Sequence, residues 1–518
     1  MRSRRIGLAA LLAVLSCVPA FAAEPAALRG QVRAWRTAHE KEVVRELADL
    51  VALRNVAANR ADIERNADHL IAMFKQRGIE MRRLNAGEAP PAIYGELRSP
   101  GATRTVVFYA HYDGQPADPA DWGGADPWKP VLRAGPFDSS ARGGREVDPA
   151  SSAALDPEWR LFGRSASDDK GPIVAMLSAL DALRAAGKKP SVHLKFFLEG
   201  EEEAGSAHLP DILRAHRDLL AADAWILCDG PVHPSRRMQV VFGARGVTGV
   251  ELTVYGPLRA LHSGHYGNWA PNPAALLVEL LAGLRAPDGT ILIPGINEAV
   301  RPLTESEKQA AAAMPAVEPE LQRELALAWT EGDGGRLQDL IMRPALNLRG
   351  LAAAGVGEKA RNAIPTEASA SIDFRLVPDL TPEKVREATE AHLRAKGFWV
   401  VHEEPDAETR RAHPRIVRLI WDEGYPGART SMDLPVSRAV LQGVGEAVDG
   451  PLIQVPMLGG SVPISLFTDV LPVPMIIVPI VNHDNNQHAA HENLRLQNLW
   501  DGIEVFAQLF ARLGPAWP

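Results

Sequence analysis

Between residues 105 and 228 the chain alternates short apolar runs with amphipathic stretches, and few folds accept that order. Thr105-Val-Val-Phe-Tyr-Ala110, the run Leu194 to Leu198, and Ala224-Trp-Ile-Leu-Cys228 read as buried strands. Between them lie a helix bearing Ile173, Leu177 and Leu180, ended by Gly187 and Pro190, and a second helix near 208–220. Strand, helix, strand, helix, strand predicts an α/β fold, a mainly parallel sheet with helices on both faces. Such sheets collect ligands at the carboxyl ends of their strands. His111-Tyr-Asp113, the acidic stretch Glu199–Glu203 and Asp229 each follow a strand end, so a single shared site is expected.

In the acidic stretch, Glu199, Glu201, Glu202 and Glu203 are interrupted by Gly200 and followed by Gly205, which permit tight turns. Most charge runs are solvated, and a bare Glu run is read that way first. Adjacent carboxylates against a buried strand end are costly without a cation, however, and His and Asp residues in similar settings complete the pattern. A pair of divalent metal ions is the cation expected. Imidazoles and carboxylates are zinc ligands, and a hydrolytic site keeps a position for water. His111 and Asp113 suit a ligand whose far N–H is held by a carboxylate, or else a plain surface turn. Asp168 and Asp169 open a helix, where capping, worth about 1 kcal/mol, accounts for one of them. Asp229 alone reads as a strand-end cap. His483, His488 and His491 occupy one polar loop, and any of them can close a site.

At 518 residues the chain is too long for a single core. After Arg245 the texture changes: a strand at 247–255, an apolar helix at 273–285, a charged helical segment through 304–340, a strand at 369–376 and a helix from Thr381 to Lys396. The expected organisation is a first domain in two parts, 23–246 and 425–518, with an α+β insertion at 247–424. Residues 115–159 form a long Pro-, Gly- and Ala-rich excursion carrying Trp122, Trp128 and Trp159, and loops of that length are commonly functional. The net charge of −8, with no basic stripe, argues against nucleic acid as a partner.

Residues 1–22 read as a signal peptide, with Arg2, Arg4 and Arg5, the apolar run Ile6–Leu15 and the cleavage pattern Ala20-Phe-Ala22. The apolar run is too short to span a bilayer comfortably. Export is expected, to the periplasm if the cell has one, with no transmembrane span after processing. A partial twin-arginine pattern leaves the route open, and Val14-Leu-Ser-Cys17 is a poor match for lipoprotein anchoring through Cys17. Without Cys17 only Cys228 remains, which excludes an internal disulfide and reads as inert core.

The motifs together resemble the dinuclear zinc peptidases that include carnosinase-type dipeptidases, glutamate carboxypeptidase, aminoacylase and succinyl-diaminopimelate desuccinylase. They are His111-Tyr-Asp113, Gly163-Arg-Ser-Ala-Ser-Asp-Asp-Lys-Gly171, Glu199-Gly-Glu-Glu-Glu-Ala-Gly-Ser206, Asp229 and His488. Phe242-Gly-Ala-Arg-Gly246, Leu261-His-Ser-Gly264, Ile291–Glu298 and Ile372–Pro378 favour the carnosinase-type branch. The resemblance implies a phosphorylase/hydrolase-like catalytic domain with a lid that also dimerises. It makes His111 and Asp229 ligands of one metal, Glu203 and His488 ligands of the other, and Asp168 the bridge. Glu202 is implied as general base and Asp113 as the carboxylate orienting His111. His262, from a partner's lid, would stabilise the oxyanion, and a cis peptide is implied between Asp168 and Asp169. Arg375 would pair with the substrate carboxylate near the loop Gly459-Gly460-Ser461. The ions expected are zinc, with manganese also suited to N/O ligands.

Three departures stand out. Ser165 replaces a glycine before the bridging aspartate. His491-Glu492 replaces an Asn-Glu pair, making His491 a rival to His488. Segment 134–158 has no counterpart in the short dipeptidases. The expected function is hydrolysis of dipeptides or short peptides with a free C-terminal carboxylate. An N-acyl-amino-acid amidohydrolase would use the same site, and a binding protein with a relic site is disfavoured by the intact Glu202. No Gly-x-Ser-x-Gly elbow supports a serine hydrolase.

Overall fold

The structure is a computed structural model that describes residues 23–137, 144–461 and 464–517. The expected signal segment, with Cys17, lies outside them. Helix α1 (Ala23–Val51) buries Leu28, Val32, Val43, Val44, Leu47, Leu50 and Val51. The three apolar runs form strands β1 (Thr105–His111), β2 (His193–Glu199) and β3 (Ala224–Leu227), and helix α2 (Lys170–Ala185) precedes β2. β1 runs parallel to both β2 and β3, with His111 opposite Glu199 and Tyr109 opposite Leu227. That register brings the ends of the three strands out at one edge.

Side chains alternate across β1. Val106, Phe108 and Ala110 enter a core shared with α1 and α2, whereas Val107 and Tyr109 enter another with Leu213, Leu220 and Phe467. Both faces of the sheet are therefore covered, as continuous apolar strands require. The full sheet has eight strands, antiparallel at the 81–84/92–97 edge and mainly parallel elsewhere.

A single strand, β4 (Gly243–Tyr255), leaves this unit and runs into the second one. There it is the centre strand of a sheet with β5 (Glu367–Leu376) and β6 (Ile416–Trp421) on either side. Val250, Leu252 and Val254 of β4 pack with Leu277, Ile372, Phe374 and Val385 in a core of their own. Helix α3 (Pro382–Ala395) covers part of it, and Thr381 accepts the Lys384 N–H as its N-cap. At the junction the 425–427 backbone lies so close that a Cβ on Gly246 would stand 2.3 Å from Tyr425 O.

The chain then returns to the first core through α4 (Pro435–Ala447), β7 (Met475–Ile477, parallel to β3) and α5 (Leu496–Ala516). A separate three-stranded sheet joins 131–133, 160–162 and 493–495.

Two helical expectations are corrected. The stretch 208–220 is two helices, Leu209–Ala215 and Arg217–Leu220, because His216 leaves helical geometry at φ −120° and ψ 23°. The stretch 304–340 is three short helices, interrupted by the 315–317 segment and by Gly332, Gly334 and Gly335. No helix among the described residues is long and apolar enough to cross a membrane.

Candidate metal centre

The strand ends and two loops gather carboxylates and imidazoles from the whole length of the first unit. His111 is fully buried at the end of β1, and its Nε2 lies 2.8 Å from Asp168 Oδ1. His488 reaches the same carboxylate from the other side, with Nε2 3.1 Å from Asp168 Oδ2 and 3.2 Å from Glu203 Oε2. His111, Asp168 and Glu203 can bring one donor atom each within 4.8 Å of one another, and so can His111, Asp169 and Asp229. The peptide between Asp168 and Asp169 is cis.

The turn after β2 divides its acids. Glu199 points back into the core, where its Oε2 accepts the Tyr109 hydroxyl at 2.8 Å, and burial pushes it up to about 7. Glu201 turns outward to His208 at 2.8 Å. Only Glu202 and Glu203 face the cluster, so the run is not one solvated patch. Asp113 fixes them: its oxygens accept the Glu202 N–H at 3.1 Å and the Glu203 N–H at 3.0 Å. Its Oδ1 also lies 3.4 Å from His111 Nδ1, longer than a good hydrogen bond.

The charges do not balance. Burial disfavours a charged His111, but Asp113 and Asp168 outweigh it and hold the imidazole well above its usual range. Asp168 and Glu203 push His488 up to about 10. Burial and the charge of Asp168 push Asp229 up to about 7. Glu202 is raised well above a normal carboxylate, by burial first and then by Asp229, Asp168 and Glu203. Asp113, Asp168, Asp169, Glu202, Glu203 and Asp229 thus face two imidazoles, and added positive charge is what such a set requires. The donors are all nitrogen and oxygen, and Asp168 presents one oxygen to each imidazole. This fits a pair of divalent cations.

The remaining expected residues lie elsewhere. Arg375 is in the second unit, its Nε on Asp373 at 2.9 Å and its Nη1 on Ser461 Oγ at 2.9 Å. Ser461 in turn donates to Gly246 O at 3.1 Å, and Gly460 adjoins it. His262 is exposed; its ring accepts the Gly264 N–H and packs on the His265 ring, while its backbone pairs with Ala363. His491 leaves the cluster to His488: its ring stacks on Phe137 and lies beside Trp122.

Sequence reasoning passed over the group that holds the loop carrying Asp168. Glu492, fully buried, accepts the N–H of Ser165, Ser167 and Asp168, the Ser167 hydroxyl and Arg164 Nη1, all at 2.8–3.0 Å. Gln115 was also missed; it donates to Glu203 Oε2 at 2.8 Å. A buried acid announces itself only through neighbours that are remote in sequence.

Comparison with known proteins decides the family. The model of peptidase family M20/M25/M40 matches residues 107–512. The chain belongs to that family. It is 26% identical over 506 residues to the Cys-Gly metallodipeptidase of Schizosaccharomyces pombe, covering 92% of this chain and 96% of the relative. It is 28% identical over 518 residues to the Beta-Ala-His dipeptidase of Homo sapiens, covering 94% and 93%. Among solved structures, an M20 family metallo-carboxypeptidase from Sulfolobus solfataricus superposes with a TM-score of 0.71 at 25% identity, covering 92% of this chain and 99% of that one. Human carnosine dipeptidase 1 gives 0.69 at 24%, covering 94% and 99%. The M20 fold of a catalytic unit plus a lid is the one described above, and the chain is a hydrolase of the metallopeptidase class.

Proposed function

We propose that the chain is a dinuclear metallopeptidase that hydrolyses dipeptides or short peptides with a free C-terminal carboxylate. One observation carries the reading: Asp168 offers an oxygen to His111 and the other to His488, with Glu203 on the second side and Asp229 grouped with His111. His111 and Asp229 would hold one ion, Glu203 and His488 the other, and Asp168 both. Zinc suits this donor set, and manganese is the alternative. The ions would supply Lewis acidity and a water whose pKa falls toward neutrality.

The side chains do the rest. Glu202 is held beside the cluster by Asp113 through its own N–H, and that placement suits a group that moves a proton at the reacting water. It takes the water's proton and delivers it to the departing amine nitrogen. Arg375 offers a planar two-pronged donor to the terminal carboxylate, assisted by Ser461 and Gly460. His262 would polarise the scissile carbonyl from the lid of a second copy. Exposed lid side chains such as Trp269, Val278, Leu348 and Leu351 supply apolar area for such a homodimer. Residues 1–22 support export of the enzyme to the periplasm or beyond.

The test is a substrate panel on the metal-loaded protein: Cys-Gly and β-Ala-His dipeptides, the same with amidated C-termini, and N-acyl amino acids. Cleavage of free dipeptides with loss on amidation supports the reading. Preference for N-acyl amino acids would replace it with a deacylase, and no hydrolysis with bound metal would leave only binding.

A further inference from the structure

Two of the three sequence departures meet in space. Phe137 lies four residues past the strand 131–133, just beyond Ala134, whose N–H donates to Arg145 O at 3.0 Å. Its ring stacks on His491, with centroids 4.1 Å apart and planes 13° from parallel. Trp122 adds a second aromatic contact to His491 at 5.5 Å, and the Arg164 guanidinium lies 5.8 Å from the Trp122 ring. An asparagine at 491 would offer no ring to stack on.

The loop so gripped is conformationally demanding. Asn486, His488 and His491 all have positive φ, at 57°, 60° and 63°. For residues with a Cβ this backbone is sparsely populated and persists where the surroundings over-determine it. Part of the restraint is local: Asn485 Oδ1 accepts the Gln487 N–H at 2.8 Å, and Asn493 Nδ2 donates to His491 O at 3.1 Å. Arg164 Nη2 holds Ala489 O at 3.1 Å, and Glu492 anchors the far end in the Asp168 loop. The His491 side chain is held by the aromatic pair, one of whose members comes from the added segment.

We propose that Phe137 is a positioning residue for the metal centre: by stacking on His491 it fixes the turn that presents His488, and so acts as a buttress of the catalytic unit. This rests on the dimetal reading above. The role predicts a coupled pair. Partners that orient metal ligands typically change metal affinity or activity by about 10–100-fold when altered.

The experiment measures metal retention against a chelator series, kcat and KM on a cleaved dipeptide, and the unfolding midpoint of the metal-free protein. In Phe137→Ala one of two ions should leave at about tenfold lower chelator, with kcat falling and KM nearly constant. The metal-free midpoint should stay within a few degrees, Phe137→Trp should restore retention, and His491→Asn should match Phe137→Ala. The double variant should be no worse than either single one. Wild-type metal retention and kcat in Phe137→Ala, additive losses in the double variant, or failure of Phe137→Trp to rescue would overturn the buttress. Absence of metal or of hydrolysis in the wild type would instead overturn the parent reading.

Discussion

The Glu492 carboxylate accepts the backbone N–H of Asp168 at 3.0 Å, across 324 positions of sequence. The acid thereby sets the height of the carboxylate that faces both imidazoles. Glu492→Gln would turn an amide NH2 toward groups that are themselves donors. We expect a loss of about 2–4 kcal/mol in the unfolding free energy of the metal-free protein, read by denaturant titration, together with weaker metal retention.

Glu202 contacts neither imidazole, yet it adjoins Glu203 and is held by Asp113. Glu202→Gln should keep both ions by metal analysis and lower kcat by at least about 10²–10⁴-fold. Turnover that survives with metal bound would remove Glu202 from its role.

Removal of metal should act on stability as well as on rate. With the carboxylate cluster left uncompensated, dialysis against a chelator should abolish hydrolysis and lower the thermal midpoint. Adding back zinc or manganese should restore both, at two ions per chain. Thermal scans paired with elemental analysis check this.

Arg375 donates to Asp373 and Ser461. Arg375→Ala should raise KM for free dipeptides by about 10–100-fold, the worth of a hydrogen bond to a charged group. On C-amidated dipeptides the variant and the wild type should differ little.

A pH effect is expected away from the centre. Asp501 of α5 is pushed up to about 6, by burial first, with Gln497 opposing through a 2.7 Å bond. A group whose folded pKa is raised contributes stability below its unfolded pKa and loses it as pH rises through the folded one. Asp501→Asn should therefore stabilise the protein by roughly 1–3 kcal/mol at pH 8, and by much less near pH 4. Melting curves across that window give the difference.

Much of this is legible in the sequence alone. Buried parallel strands advertise themselves as apolar runs, and a parallel sheet leaves its strand-end residues at one edge. His111, Glu203 and Asp229 could be grouped on that ground alone. The allocation of acids after β2 could not, because Glu199, Glu201 and Glu202 differ only in which neighbours they meet: Tyr109, His208 and the cluster. Nor could the pairing of 131–133 with 160–162 and 493–495, since three-residue strands carry no periodicity. His491 is a rival to His488 in sequence, and the neighbours of the two rings separate them: Asp168 and Glu203 for His488, Phe137 and Trp122 for His491.

The return of the chain after the lid has a consequence for biosynthesis. At about 5–20 residues per second, the ribosome releases the lid well before α5 and the His488 loop exist. Until then α1, α2 and α4 lack the helix that contributes Leu499, Ile503, Phe506 and Phe510 to their shared core. The first core is therefore incomplete until α5 emerges, and the loop just before α5 carries His488, the imidazole that faces Asp168 and Glu203. Completion of the core and completion of the reactive centre are one event.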